Sequence, residues 1–192
     1  AGYSLLLTCR HSAEILQAFA IELTEKYEIS CLALQADMGN EEEVQALFSR
    51  IPRLDVLVNN AGIAYMGLLS QMSSAEWHRV LAVNLDSCFY PCRAAIPLML
   101  REHRGRIINI SSVWGIHGAS MEVAYSASKG GVNSLTKALA KELAPSNIQV
   151  NAIACGVIDT EMNSCYSHEE MQALIDEIPA DRLGSTEEVA SL

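Results

Sequence analysis

Five short, almost uniformly apolar segments recur along the chain, and a longer amphipathic segment follows each of them. This alternation constrains the fold more than any other feature of the sequence. Strands that are apolar nearly throughout are typical of a parallel sheet whose two faces are both covered, whereas half-exposed strands alternate apolar and polar residues. The predicted strands are residues 3–10, 29–37, 54–60, 106–112 and 148–155.

The segments between the strands have the apolar periodicity of helices. Ser12 is the predicted N-cap of the first helix, and Asn40 with Glu43 is predicted to form a capping-box-like start for the second. The predicted helices are residues 12–28, 40–51, 75–102, 123–144 and 168–178, with a last one after residue 185. Strand–helix alternation implies right-handed crossovers and a doubly wound, Rossmann-like sheet in three α/β/α layers. We predict a single domain over residues 1–192.

Charge and composition exclude several classes of function. The net charge is −10, from 23 acidic and 13 basic residues, which argues against a nucleic-acid partner. The longest apolar run, "AAIPLML", is far shorter than the roughly 20 residues of a membrane span. The six cysteines match no zinc or redox spacing, so we expect reduced thiols, no metal site and a cytoplasmic location.

Polar residues collect where the predicted strands end. Ligands of doubly wound sheets bind outside the carboxyl ends of the strands, so these residues are expected to share one site. Each of them alone is adequately explained as a turn former, but the joint pattern favours a site. The residues concerned are Arg10, Asp37, Asn59, Asn60, Ser111, Ser112 and Thr160.

Asn84 falls on the apolar stripe of its predicted helix, seven residues after Trp77 and four after Val80. A carboxamide on a buried face requires hydrogen-bond partners. Two interpretations stay open: a core asparagine that ties the helix to a neighbouring backbone segment, or a functional group.

Five motifs then coincide in order along the chain: "NNAG" at 59–62, Asn84 in "VNL", "NISS" ending at Ser112, Tyr125 with Lys129 in "YSASK", and "GVIDT" at 156–160. Together they closely resemble the short-chain dehydrogenase/reductase family of nicotinamide-dependent oxidoreductases. The spacings of 28, 13 and 4 residues between Asn84, Ser112, Tyr125 and Lys129 fit the catalytic tetrad of that family. "HRGRIINISS" and "DRLGSTEEVA" are most similar to the bacterial β-ketoacyl-acyl-carrier-protein reductases.

The resemblance implies a role for each residue of the tetrad. Tyr125 would be the general acid in carbonyl reduction and the base in alcohol oxidation. Because a free phenol has a pKa near 10, the Lys129 ammonium one helical turn away would favour the phenolate. Ser112 would stabilise the substrate oxygen, and Asn84 would support a water that relays protons to Lys129.

The resemblance also implies cofactor contacts. Lys129 would hold the ribose hydroxyls beside the nicotinamide, next to Tyr125. The other implied contacts are Asp37 and the Met38 backbone at the adenine, Asn60 near its ribose, and Ile158 and Thr160 near the nicotinamide amide and the pyrophosphate. Arg10 follows the position where NAD-dependent members place an aspartate, and a basic residue there suits a 2′-phosphate, so we predict NADP(H) over NAD(H).

For the substrate, the resemblance favours 3-oxoacyl-acyl-carrier-protein reduction in fatty acid biosynthesis, by a homotetramer. A lid is expected over about residues 156–180, with Tyr65, Met66, Trp114, His117 and Met121 as candidates for lining the pocket. A basic cluster that could receive an acidic carrier protein, or be only a solvated helix end, comprises Arg101, His103, Arg104 and Arg106.

The sequence departs from the family pattern at three places. The family's first strand with its Gly-rich turn and its last strand have no counterpart in these 192 residues, so we expect a fold incomplete at both ends that does not stand alone. Either the source chain is longer or this is a fragment. Cys155 stands where the family usually has proline, as a harmless exchange or as an oxidisable thiol beside the nicotinamide.

Alternatives remain for the function. Other members of the family act on sugars, steroids or small alcohols, and some proteins keep this fold as cofactor-sensing or scaffolding modules. A serine hydrolase is excluded because "NISSV" lacks the Gly-x-Ser-x-Gly turn, and "SHEEMQ" is not a metalloprotease motif. Turnover of a carbonyl substrate separates the enzyme from the sensor.

Overall fold

The computed structural model of the chain describes residues 2–163 and 166–192. In this part of the chain parallel strands alternate with helices, which confirms the predicted α/β class. The strands are β1 (Leu5–Cys9), β2 (Cys31–Gln35), β3 (Val56–Asn59), β4 (Gly105–Ser112) and β5 (Ile148–Cys155). The helices are α1 (Ala13–Tyr27), α2 (Glu41–Phe48), α3 (Ser74–Leu81), α4 (Ser87–Glu102), α5 (Trp114–His117), α6 (Val123–Leu143), α7 (His168–Asp176) and α8 (Thr186–Ala190).

Three helices form one layer against the strands. Side chains of α2, α4 and α6 share a core with the sheet, in which Met99 and Ile107 are fully buried. Leu6 of β1, Leu34 of β2 and Leu57 of β3 pack against that same core, so every part of the sheet contributes to it. Helix α1 packs against β1 and β2 outside that core, which supplies the second helical layer of the predicted three-layer arrangement.

The strands pair in two groups. Strand β1 pairs with β2, and β4 pairs with both β3 and β5, all in parallel register. Within residues 2–163 and 166–192 no ladder joins β1 to β3. Burial differs accordingly: β4 is largely buried, but Val58 in β3 is 54% exposed. The prediction of strands covered on both faces is therefore wrong for part of the sheet.

Helix starts differ in detail from those predicted. Asn40 does cap α2, since its side chain accepts hydrogen bonds from the backbone N–H groups of Glu42 and Glu43 at 3.0 and 3.3 Å. The reciprocal bond of a capping box is replaced, because the Glu43 carboxylate accepts from the backbone N–H of Asp37 instead, at 2.8 Å. Ser12 makes no side-chain capping bond. The predicted helix over 75–102 is interrupted by a π-helical turn at Ala82–Asp86.

Candidate active site

Ser112 lies at the carboxyl end of β4, opposite Cys155 at the end of β5. The backbone N–H of Val113 donates to the Cys155 carbonyl at 2.9 Å, which extends the ladder just past Ser112. The Ser112 hydroxyl accepts from the Trp114 backbone N–H at 3.2 Å and also hydrogen-bonds with the Tyr125 side chain. Ser112 and Tyr125 lie together, although 13 residues separate them in sequence, because α6 packs against β4 and β5.

Tyr125 and Lys129 are both buried on α6, one turn apart. The Lys129 Nζ lies 5.7 Å from the centroid of the Tyr125 ring and donates to the Ile110 carbonyl of β4 at 2.8 Å. Burial lowers the pKa of Lys129, because the desolvated ammonium is disfavoured. The lysine is therefore aimed at the sheet and not along the helix surface.

The pKa of Tyr125 is raised, chiefly by burial, while the hydrogen bond with Ser112 opposes the shift. Negative charge at Glu122 and Cys155 adds to the increase. Lys129 is not among the groups that shift the pKa of this phenol, so its predicted support of the phenolate stays a prediction. The net direction is upward because burial of the phenolate outweighs the hydrogen bond with Ser112. The phenol is protonated at neutral pH.

Asn84 lies in the π-helical turn and is fully buried. Its Oδ1 accepts from the Ile63 backbone N–H at 2.8 Å, and its Nδ2 donates to the Ile63 carbonyl and to Ser128 Oγ, both at 3.0 Å. The carboxamide therefore joins the loop after β3 to α6, which favours the tying role among the two interpretations. Isolated π turns are frequent at functional sites. Both amide hydrogens of Asn84 are used, so a water bound there would donate to the second lone pair of Oδ1 or to the backbone carbonyl, which also accepts a long contact of 3.7 Å from Cys88.

Sequence reasoning missed Ser128, which is fully buried beneath the site. Besides accepting from Asn84, its hydroxyl donates to the Tyr125 carbonyl at 2.7 Å. It also missed Asn109, a partner of Asn59, and Thr136, which in turn binds Asn109. The Asn59 Nδ2 donates to Asn109 Oδ1 at 2.8 Å, and Asn109 Nδ2 donates to Thr136 Oγ1 at 2.8 Å. These buried bonds link β3, β4 and α6 below the site.

The cofactor residues predicted at β1 and β2 do meet. Arg10 Nε lies 2.9 Å from Asp37 Oδ2, and Arg79, which sequence reasoning missed, lies 3.5 Å from the same atom. Asp37 Oδ1 accepts from the Gly39 backbone N–H at 2.9 Å, so both carboxylate oxygens already have protein partners. The Glu43 carboxylate also lies here, on the Asp37 backbone N–H at 2.8 Å, so two guanidinium groups and two carboxylates meet at this place. Guanidinium groups are suited to bind the phosphate of a dinucleotide.

The other predicted cofactor residues are more dispersed. The Met38 side chain packs against the core, which leaves its backbone for a ligand. Asn60 is exposed at the end of β3. Ile158 bridges to Gly184, and the exposed Thr160 donates to the Ile158 carbonyl at 3.4 Å. An alanine Cβ at Gly62 would lie 3.5 Å from both Asn84 Oδ1 and Lys129 Nζ, so this glycine keeps the approach to the lysine open.

Two loops expected at the substrate pocket are joined by a backbone bond from the Gly67 N–H to the Met121 carbonyl at 2.8 Å. The basic cluster at residues 101–106 lies elsewhere. Arg104 pairs with Asp55 at 2.5 Å beside the start of β4, whereas Ser112 ends that strand, about 23 Å away at about 3.3 Å per residue. The cluster therefore does not border the site of its own chain.

The family model of the short chain dehydrogenases matches residues 1–171. The chain belongs to the short-chain dehydrogenase family. A 3-oxoacyl-acyl-carrier-protein reductase of Aquifex aeolicus is 40% identical over 196 residues, which covers 100% of this chain and 79% of that relative. Nodulation protein G of Rhizobium sp. is 39% identical over 182 residues, with 93% and 73% covered, and an oxidoreductase of Bacillus subtilis is 36% identical over 190 residues, with 98% and 78% covered.

As a short-chain dehydrogenase, the protein is an oxidoreductase that acts on CH–OH groups with a nicotinamide cofactor.

Two negative findings concern residues 2–163 and 166–192. No helix there is both long and apolar enough to cross a membrane. In the same residues no group of three or more histidine, cysteine or acidic side chains is placed to hold a metal ion.

Proposed function

We propose that this short-chain dehydrogenase is an NADPH-dependent carbonyl reductase that reduces a 3-oxoacyl thioester, with Tyr125 as the general acid. The observation that carries the proposal is the position of three side chains. The Ser112 hydroxyl hydrogen-bonds with that of Tyr125, and the buried Lys129 ammonium lies beside the Tyr125 ring. The 40% identity to a 3-oxoacyl-acyl-carrier-protein reductase supports the choice of substrate. A cytoplasmic location and a homotetramer remain predictions.

In the proposed reaction, the carbonyl carbon would accept a hydride, which NADPH would supply when bound. Tyr125 donates its hydroxyl proton to the carbonyl oxygen, so that the ketone becomes an alcohol. Burial keeps this phenol protonated, which suits a proton donor in the reducing direction. Ser112 hydrogen-bonds the same oxygen and stabilises the charge that develops on it.

The remaining residues would bind the cofactor or position the loops around the site. Lys129, fixed by the Ile110 carbonyl, would bind the ribose hydroxyls next to the nicotinamide. Asn84 holds the loop after β3 at the correct distance from α6. Arg10 and Arg79 would bind the 2′-phosphate, since both guanidinium groups are partly exposed beside Asp37. Asp37, Met38, Asn60, Ile158 and Thr160 remain proposed contacts of the dinucleotide.

The test is NADPH and NADH oxidation by the native-length protein with an acetoacetyl thioester, beside a Tyr125→Phe variant that keeps the ring and lacks the hydroxyl. We expect turnover that prefers NADPH and falls by at least about 100-fold in the variant, since positioned acid catalysis contributes about 10²–10⁴. NADPH binding without turnover would contradict the proposed substrate and favour the cofactor-sensing alternative. Equal use of NADH would contradict the role of Arg10.

A further inference from the structure

Ser128 is a fully buried serine of α6 to which the proposed reaction gives no task. Serine is a poorer helix former than alanine, and a buried hydroxyl requires hydrogen-bond partners. Its Oγ donates to the Tyr125 carbonyl at 2.7 Å and accepts from Asn84 Nδ2 at 3.0 Å. Because a hydroxyl has one hydrogen and two lone pairs, the single hydrogen of Ser128 is bound to the backbone of the proposed acid.

Tyr125 lies on the first turn of α6, which is the least supported part of a helix. It is the third residue of α6, and the first N–H groups of any helix have no intrahelical partner. In the described part of the chain, the N-cap residue Glu122 adds no side-chain capping bond to this start. The Ser128 hydroxyl therefore supplies the turn with a bond that neither the helix backbone nor its cap provides.

The lysine end of the same turn is held by the sheet. Lys129 Nζ donates to the Ile110 carbonyl of β4 at 2.8 Å, and Ser111 Oγ donates to the Lys129 carbonyl at 3.3 Å. The tyrosine end is held by the Ser128 hydroxyl. The relative position of the phenol and the ammonium thus depends on two bonds to β4 and on one hydroxyl within the helix.

Asn84 connects Ser128 to the loop after β3. One Nδ2 hydrogen of Asn84 is bound by the Ile63 carbonyl at 3.0 Å and the other by Ser128, while Oδ1 accepts from the Ile63 N–H at 2.8 Å. Gly62 precedes Ile63 in this loop, and an added Cβ there would lie 3.5 Å from Lys129 Nζ. Ser128 is therefore bonded directly to the turn that carries the site and, through Asn84, to the loop beside the lysine.

We propose that Ser128 is a positioning residue, which holds the turn of Tyr125 and Lys129 in place against the loop after β3. The inference rests on the proposed function, in which Tyr125 is the proton donor. Without the hydroxyl, Lys129 keeps its bonds to β4 but Tyr125 is free to shift, so kcat should fall while KM stays nearly unchanged. Since a displacement of about 1 Å can reduce a rate about 100-fold, we expect a loss of at least about tenfold.

Thr136 offers a matched control on the same helix. Its Oγ1 donates to the Val132 carbonyl at 2.7 Å and accepts from Asn109 Nδ2 at 2.8 Å, the same two kinds of bond that Ser128 makes. Both residues are buried, and Thr136 lies about 16 Å beyond Tyr125 along the helix axis, at about 1.5 Å per residue. Thr136→Val and Ser128→Ala should therefore lose similar stability, while only Ser128→Ala changes the site.

The test measures kcat and KM of the native-length protein with NADPH and an acetoacetyl thioester, together with unfolding in urea. Ser128→Ala should lower kcat at least about tenfold, and Thr136→Val should lose comparable stability and keep its kcat. Ser128→Cys is the second variant, because its thiol fills the space of the hydroxyl but donates only weakly, so that a lower kcat there is not the effect of a cavity. An equal loss of kcat in Ser128→Ala and Thr136→Val, or an unchanged kcat in Ser128→Ala, would overturn the inference.

A second readout requires no turnover. In protein labelled with ¹³C at the ring Cζ of tyrosine, the NMR resonance of Tyr125 is the one that Tyr125→Phe removes. We expect Ser128→Ala to shift this resonance and Thr136→Val to leave it in place. A shifted resonance in a protein that does not reduce the thioester would support the positioning role and contradict the proposed reaction alone. A resonance that stays in place in both variants would overturn the inference whatever the activity.

Discussion

Replacing Gly115 with alanine should destabilise the protein, because helix α5 touches the backbone of α6 at this residue. An added Cβ would lie 2.6 Å from the Lys129 carbonyl carbon, 2.8 Å from its oxygen and 2.9 Å from the Gly130 nitrogen. Backbone atoms cannot rotate away as a flexible side chain can, so α5 must move by roughly 0.5–1 Å. Overpacking of this kind costs about 1–3 kcal/mol.

Gly130→Ala provides a matched control on the facing helix. Its Cβ would meet the Gly115 carbonyl oxygen at 3.4 Å, an ordinary contact. Inside α6, alanine should gain about 0.5–1 kcal/mol over glycine from the smaller loss of backbone entropy. The two variants should therefore differ by about 1.5–4 kcal/mol in the free energy of unfolding.

Thermal unfolding of the native-length protein, followed by circular dichroism, measures this difference. For a chain of this size, 1 kcal/mol corresponds to about 2–4 °C, so Gly115→Ala should lower the midpoint by about 2–12 °C. Gly130→Ala should leave the midpoint unchanged or raise it slightly. Equal midpoints for Gly115→Ala and the unmodified chain would refute the claim that α5 and α6 are in backbone contact at Lys129.

Two further predictions concern buried groups. Asn84→Ala should lower the free energy of unfolding by about 3 kcal/mol, because it leaves the Ile63 N–H and carbonyl without their partner. Urea titration measures this change, and a loss below about 1 kcal/mol would contradict those hydrogen bonds. At pH 8, iodoacetamide should modify Cys9 well before Cys88 and Cys92, which peptide mass spectrometry follows. The reason is that burial raises the pKa of Cys92 to about 12 and also raises the pKa of Cys88. Since the thiolate is the reactive form, the rate at Cys92 should increase as the pH approaches 12, and modification of Cys92 as fast as Cys9 at pH 8 would refute its burial.

The fold class was predictable because it depends on local patterns. Apolar runs and helical periodicity locate β4 and β5 to within a residue of their observed bounds. The burial of β3 was not predictable in the same way. An apolar residue such as Val58 is compatible with a covered face, but Val58 is exposed in the structure. Strand pairing is likewise a property of the assembled fold, in which β1 and β3 share no ladder in the described residues.

The candidate site was predictable as far as its motifs extend. The sequence motifs identify Ser112, Tyr125 and Lys129, and the structure brings these three side chains together. Ser128 could have been suspected, since it is a polar residue one turn after Tyr125 and next to Lys129. The direction of the Tyr125 pKa could not, because it results from competition between burial and hydrogen bonding, and burial is a property of the assembled fold.

The π-helical turn at Ala82–Asp86 connects the two strand groups at the site. On one side, a Cβ at Gly39, just after β2, would lie 2.8 Å from the Ala82 carbonyl oxygen, so the turn packs directly on the loop that carries Asp37. On the other side, Asn84 in the same turn binds the Ile63 backbone after β3. Because no ladder joins β1 to β3 in the described residues, this turn and the shared helical core fix the arginine–aspartate group relative to the tyrosine and lysine. The side chain of Asn84 therefore fixes the turn to the loop after β3 and to α6, while the backbone of the same turn packs on the loop that carries Asp37.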